Sequence, residues 1–261
     1  MDQNDADGTN RSLERGISIL RAFKPGVSEL GNAEIAERTG LPKATVSRLT
    51  RTLVSSGMLH RDDKQRVYRL APAVLSLAHA MRLSSPILPV IAPLMRIEAT
   101  RRHVNVGLAA ADDDMMVYLE SFRYSPRASF RTVVSGQRVP MELTSLGRAY
   151  LWAISDEARV RELAAIARRR PSGRLRLRQD IERSLKDLDD LDYCAVRWQP
   201  GVVAVATSLC FDRLPPHSLN ISLASDEPLG EAKRRLVPWL LDLKRRCLER
   251  LELKATPDAF S

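Results

Sequence analysis

Apolar positions in the first third of the chain recur at helical spacing. Leu13, Ile17, Leu20 and Phe23 follow Ser12, a good N-cap, and Pro25-Gly26 ends the run. Asn32 is placed to cap a short second helix, Ala33 to Thr39, with Gly40 just beyond it. Pro42, at a first-turn position, opens a third helix that runs to Ser56 and stops at Gly57. Leu59 to Arg61 and Arg66 to Leu70, joined by Asp62-Asp63-Lys64, read as a β-hairpin. Ala71 to Leu83 is one more apolar helix, broken by Ser84-Ser85-Pro86, and Pro86 to Arg102 forms the next. Beyond it the period falls from about 3.6 to 2. Val104 to Ala110 and Met115 to Phe122 predict paired strands across Asp112-Asp113-Asp114, followed by a strand near Ser129 to Val134 and a helix from about Ser145. Charged helices at 156–169 and 178–189, strands Gly201 to Cys210 and Ser218 to Ala224, and an amphipathic helix from Leu229 to Leu253 complete the pattern.

Length and composition fit that order of elements. At ~150 residues per domain, 261 residues suggest two. The expected divisions are a disordered tail (1–10), a compact helical domain with a hairpin (11–72), a linker helix (73–85) and an α/β domain (86–255), an α+β chain in all. The longest apolar-looking stretch, Ile87 to Met95, is far short of the ~20 residues that cross a bilayer, so no membrane partner is expected. Asp2, Asp5 and Asp7 make the N-terminus the opposite of a signal peptide, which predicts a cytoplasmic protein. Cys194, Cys210 and Cys247 form no disulfide framework. His60, His79, His103 and His217 stand singly, and no glycine pair has dinucleotide or P-loop spacing, so neither a metal nor a cofactor is expected. The formal charge is +9, which favours polyanionic partners. Residues 11–70 hold twelve basic and six acidic groups.

Within that basic segment the order helix, helix, turn, helix, hairpin is that of a winged helix-turn-helix. On a helical wheel the third helix buries Val46, Leu49 and Leu53. The opposite side carries Ala44, Ser47, Arg48, Arg51 and Ser55, flanked by Lys43, Thr45 and Thr52. A small residue admits the backbone to a major groove, hydroxyls suit phosphates, and arginine reaches guanine O6 and N7. A solvated polar face is the ordinary alternative for such a helix; the turn before it and the hairpin after it favour the groove. In the hairpin, Arg61, Lys64, Arg66 and Arg69 are candidates for phosphate or minor-groove contacts.

The second domain carries a pocket signal. Thr144 is placed to cap the helix from Ser145, leaving the amides of Ser145, Leu146 and Gly147 for an anion. Alternate residues Ala204, Ala206 and Ser208 are small, as are Ser218, Asn220, Ser222 and Ala224 on the next strand. Such rows either leave room for a ligand or pack under helices. The run Arg159 to Arg178, with eight arginines and Glu162, reads as a solvated face or a contact with an acidic neighbouring subunit.

Ser12-Leu-Glu-Arg-Gly-Ile-Ser-Ile-Leu, the stretch Glu34-Ile-Ala-Glu-Arg-Thr-Gly-Leu-Pro-Lys-Ala-Thr-Val-Ser-Arg-Leu and Tyr68-Arg-Leu resemble the isocitrate-lyase-regulator (IclR) family. Gly136-Gln-Arg-Val-Pro-Met, Thr144-Ser-Leu-Gly-Arg-Ala and Gly201-Val-Val-Ala-Val-Ala are similar to its effector-binding domain. The resemblance spans about residues 11–255. It implies a winged helix-turn-helix, a linker helix and a GAF-like α/β domain with an antiparallel sheet that binds small organic acids or aromatics. It also implies double-stranded operator DNA as a partner and a homodimer or homotetramer. The family's pocket positions fall on Val139, Ser145, Leu146, Ala204 and Ser222. Between Tyr193 and Gly201 the chain is shorter than the family pattern, and Arg197, Trp198 and Gln199 stand where some members have an acid. Arg197 is therefore a candidate partner for a ligand carboxylate. The expected function is sequence-specific transcriptional regulation modulated by a small organic effector, with no catalytic residues. Rival readings are an enzyme acting on a small organic acid in the second domain, or a sequence-neutral DNA-binding protein.

Overall fold

The computed structural model describes residues 10–124, 135–169, 173–211 and 214–255. The strand expected near Ser129 to Val134 lies outside them, as do residues 1–9. The chain divides into two compact units, Met1–Ser84 and Ser85–Ser261.

In the first unit, helices α1 (Arg11–Arg21), α2 (Asn32–Thr39) and α3 (Lys43–Ser55) precede the strands β2 (Leu59–Asp62) and β3 (Val67–Leu70), and β1 (Leu30–Gly31) lies between α1 and α2. Helix α1 starts earlier than the Ser12 cap implies. Asn10 Oδ1 accepts from the Ser12 and Leu13 amides at 3.0 and 3.2 Å, so one oxygen satisfies two otherwise orphaned donors. Asn32 is the first residue of α2 rather than its cap. The cap is Gly31, whose N–H donates to Glu34 Oε2 at 2.8 Å, half of a capping box. Gly40, at φ +69°, makes the left-handed turn into α3. Ile19, Leu30, Ile35, Val46, Leu49, Leu59 and Tyr68 form one core. The sheet order β1-β3-β2 makes β3 of the predicted hairpin the central strand of a three-stranded sheet, with β1 added on its other side. Asp62 Oδ1 accepts from the Lys64 and Gln65 amides, both at 3.0 Å, and so sets the hairpin turn. Helix α4 (Pro72–Leu83) closes this unit with no buried residue.

The second unit opens with α5 (Leu88–Arg102) and then the strands β4 (Asn105–Asp112), β5 (Met115–Phe122) and β6 (Arg138–Pro140). Helices α6 (Ser145–Ala153), α7 (Asp156–Arg169) and α8 (Arg174–Leu191) follow. Strands β7 (Cys194–Gln199), β8 (Val202–Leu209) and β9 (His217–Ala224) lead to α9 (Leu229–Ala255). The strands form one antiparallel sheet in the order β6-β5-β4-β9-β8-β7. Alternation along the strands separates its two faces. Val106, Leu108, Val203, Val205, Leu219 and Ile221 pack with Ile91 and Met95 of α5 and Leu236 and Leu240 of α9. The opposite face meets α6 and α8. Strand β7 escapes the period-2 pattern because its pairing with β8 is irregular between Val196 and Gln199. No single described helix is long and apolar enough to cross a membrane.

Candidate functional site

Helix α3 buries Val46 and Leu49, with Leu53 partly covered. Lys43, Ala44, Arg48, Arg51 and Thr52 are exposed, and Thr45 and Ser47 are half-buried beside them. Among the described residues no ion pair engages Lys43, Arg48 or Arg51. Their charge stays available to a polyanion. Thr50, which the wheel of Val46, Leu49 and Leu53 did not single out, is also fully buried. Its buried hydroxyl donates to the Val46 carbonyl at 2.9 Å and lies 3.2 Å from the Tyr68 hydroxyl, which ties α3 to β3.

The hairpin cations differ among themselves. Lys64 and Arg66 are exposed, and Arg61 pairs with Asp63 at 2.9 Å. Arg66 has φ +57°, a conformation that costs a bulky residue about 1–2 kcal/mol. Arg69 is a poorer DNA candidate than its sequence position implies, because its guanidinium lies 2.7 Å from Glu29 Oε2.

A cavity of about 790 Å³ opens in the second unit. Val139, Ser145, Leu146, Ala204 and Ser222 all line it, together with Thr144. Register explains the convergence. Ser222 of β9 lies opposite Ala204 of β8 on one side and Asn105 of β4 on the other. The row of small residues is split by α6: Ala204 reaches the cavity, whereas Ala206 is packed with Ala149, Leu188 and Cys194. One half leaves volume and the other seats a helix.

The α6 N-terminus supplies polar groups to that volume. Thr144 Oγ1 donates to the Pro140 carbonyl at 2.9 Å and accepts the Gly147 amide at 3.2 Å. Gly147 is thus removed from the three amides the sequence offered to an anion, which leaves those of Ser145 and Leu146. Ser145 is 1% exposed, and its Oγ is buried with no hydrogen-bond partner among the described residues. Gly147 has a steric role as well: a Cβ there would lie 1.9 Å from the Met141 carbonyl oxygen. Asn105 Oδ1, on the cavity wall, is a second buried orphan. Across the sheet, a Cβ on Gly107 would meet the Tyr118 ring at 2.4 Å and Asn220 Oδ1 at 2.6 Å, so glycine lets both side chains approach. Burial pushes the Tyr118 hydroxyl up to about 12, against a hydrogen bond with Asn220 that acts the other way. It is a neutral phenol at physiological pH.

Arg197 does not take the role the sequence suggested. It is exposed, and its guanidinium donates to the Ser225 carbonyl at 2.7 Å and to that of Glu227. The arginines that line the cavity are Arg102, Arg123 and Arg235, with Trp198 and Trp239 as aromatic walls. Their approach depends on distant elements meeting, and the linear pattern carries no signal for it. Cys194 donates to the Ser145 carbonyl at 3.4 Å, and burial pushes its thiol up to about 12, which leaves no thiolate for nucleophilic work. Among the described residues no cluster of three or more His, Cys, Asp or Glu could hold a metal ion.

Residues 12–63 match the family model for the IclR helix-turn-helix domain. The crystal structure of an IclR-family transcriptional regulator from Brucella abortus is 32% identical, with a TM-score of 0.84 over 97% of this chain and 95% of that one. This chain belongs to the IclR family. Its relatives are named as transcriptional regulators rather than enzymes. The Pca regulon regulatory protein of Pseudomonas putida is 31% identical over 70% of this chain and 59% of its own length. The chain thus spans little more than half of that curated relative. A crystallised IclR homologue from Microbacterium hydrocarbonoxydans, complexed with 4-hydroxybenzoate, shares the fold at a TM-score of 0.71 and 19% identity over 94% of this chain and all of that one.

Proposed function

We propose that this IclR-family regulator binds operator DNA through residues 11–72 and releases or tightens that grip when a small aromatic carboxylate enters the cavity of residues 86–255, with 73–85 as the linker. Its workplace is then the cytoplasm, where bacterial operator DNA lies. Arg48 and Arg51 on α3 read base edges, Ala44 lets the helix approach, and Lys43, Thr45, Ser47 and Thr52 hold phosphates or flank the contact. Arg61, Lys64 and Arg66 on the hairpin grip the backbone. A second copy of the chain is the natural partner. The apolar side chains of Leu75, Leu77, Met81 and Leu83 on α4 and of Leu13 and Ile17 on α1 are exposed in the first unit. A two-fold dimer would meet an operator of matching symmetry.

The observation that carries the effector reading is Ser145: a buried hydroxyl without a partner among the described residues, at the start of a nine-residue helix, on the wall of a cavity. Helix starts favour anions. The effector's carboxylate sits on the Ser145 and Leu146 amides, and its ring lies against Val139, Ala204 and the tryptophans. The 4-hydroxybenzoate held by the Microbacterium homologue supports an aromatic acid.

Ala204→Leu tests this reading. The added side chain occupies the cavity opposite Ser222, so binding of aromatic acids, followed by tryptophan fluorescence, is expected to be lost. A ligand-dependent shift in operator affinity, about 5–150-fold for a typical coupling of 1–3 kcal/mol, disappears with it. A variant that still binds and still responds places the effector elsewhere.

A further inference from the structure

Tyr118 and Asn220 form a buried polar pair on the cavity wall, 9% and 4% exposed. They come from β5 and β9, with β4 between them. Asn220 lies opposite Gly107 of β4, whereas Tyr118 lies opposite Ala109, so its ring crosses β4 diagonally to reach the glycine. A Cβ at 107 would take the space of both partners: Tyr118 ring carbons would lie 2.4 and 2.9 Å from it, and Asn220 Oδ1 2.6 Å. Glycine weakens a strand interior, and a close approach of this kind is what it permits. Three strands thus combine to bring a phenol and an amide together.

The hydroxyl is the informative part of that pair. Phenylalanine would fill the same apolar space beside Ala109, Met116 and Val139. A buried hydroxyl, by contrast, needs hydrogen bonds. Asn220 supplies one, and a phenol that donates one bond and accepts two has capacity left. Burial keeps it protonated at physiological pH, so it has a proton to give. Its position suits a ligand held at the start of α6. Tyr118 shares a face of β5 with Met116, which lies opposite Val139, and Asn220 shares a face of β9 with Ser222, which lies opposite Ala204. Two residues along a strand is about 7 Å. The polar pair therefore adjoins both apolar walls assigned to the effector's ring.

We infer that Tyr118 selects the effector: held by Asn220 over Gly107, its hydroxyl hydrogen-bonds a hydroxyl substituent on the ring whose carboxylate sits at the start of α6. The effector is then a hydroxylated aromatic acid rather than a bare one. This rests on the effector reading above and adds a second polar contact to it. An analogue of equal size that cannot hydrogen-bond would leave the buried phenol without its partner, and such sites reject it.

The test is calorimetric titration of the full chain with 3- and 4-hydroxybenzoate against 3- and 4-methylbenzoate, in which a methyl group replaces the hydroxyl. At least one hydroxybenzoate is expected to bind about tenfold or more tighter than the matching methyl acid. Tyr118→Phe, which removes only the hydroxyl, is expected to weaken that hydroxybenzoate about tenfold more than the methyl acid. The comparison among ligands on the unaltered protein stands even if the variant folds poorly. Equal affinity within both pairs, with binding lost in Ala204→Leu, overturns the inference and leaves the effector reading standing. A preference for the hydroxyl that survives in Tyr118→Phe also overturns it. Binding of none of the four acids overturns both.

Discussion

Gly147→Ala is expected to be among the most damaging single-methyl additions in the chain. The new Cβ would lie 1.9 Å from the Met141 carbonyl oxygen and 2.4 Å from its carbonyl carbon, so the clash is with backbone that cannot rotate away. Either α6 moves off the 141–144 turn or the turn opens. The loss is about 3 kcal/mol or more, near the top of the range for overpacking, and corresponds to a fall of about 6–12 °C in Tm. The same movement would carry the Ser145 and Leu146 amides out of register with the cavity. Gly16→Ala is the control with the opposite sign. Gly16 lies within α1 with nothing inside 4 Å of an added Cβ, so alanine there should stabilise by about 0.5–1 kcal/mol through lost unfolded-state freedom. Thermal unfolding of both variants checks the pair. A Gly147→Ala protein as stable as the parent would show that the start of α6 is not built as described.

Arg48→Ala and Arg51→Ala are expected to differ in kind from Arg66→Ala. A lost base contact costs about 1–3 kcal/mol on the best operator and relaxes the preference at one position. A lost phosphate contact weakens every sequence alike and reduces the salt slope by about one unit. Because Arg66 also sits at φ +57°, Arg66→Gly should relieve backbone strain while weakening DNA binding. Anisotropy titrations on an operator library at several salt concentrations separate these outcomes. Unchanged base preference in both α3 variants would mean that another face of the helix meets the groove.

The parts of the fold legible in the sequence are those set by local periodicity. The face of α3 follows from Val46, Leu49 and Leu53 at a period of about 3.6, and β8 and β9 follow from small residues alternating with Val203, Val205, Leu219 and Ile221. Elements that local pattern does not define were missed. β1 is two residues long, and β7 carries an irregularity that breaks its alternation. Helix α8 is expected from 178 and only its start is misplaced: it begins at Arg174, in an arginine-rich stretch without a side-chain cap. The cavity was legible in part for the same reason. Ala204 and Ser222 announce themselves by strand period, and Thr144 by its place before a helix. Where α6 crosses the sheet decides that Ala206 is covered and Ala204 is not, and that is a matter of long-range packing. Arg123 belongs to the same class, just beyond β5, with no pattern around it to mark it as a cavity residue.

The most direct measurement is the affinity of the full chain for the DNA upstream of its own coding sequence, with and without a saturating aromatic acid shown to bind in the cavity. A ligand-dependent change of about 5–150-fold, absent in Ala204→Leu, is the predicted result. An operator affinity that stays the same with the cavity filled would contradict the account.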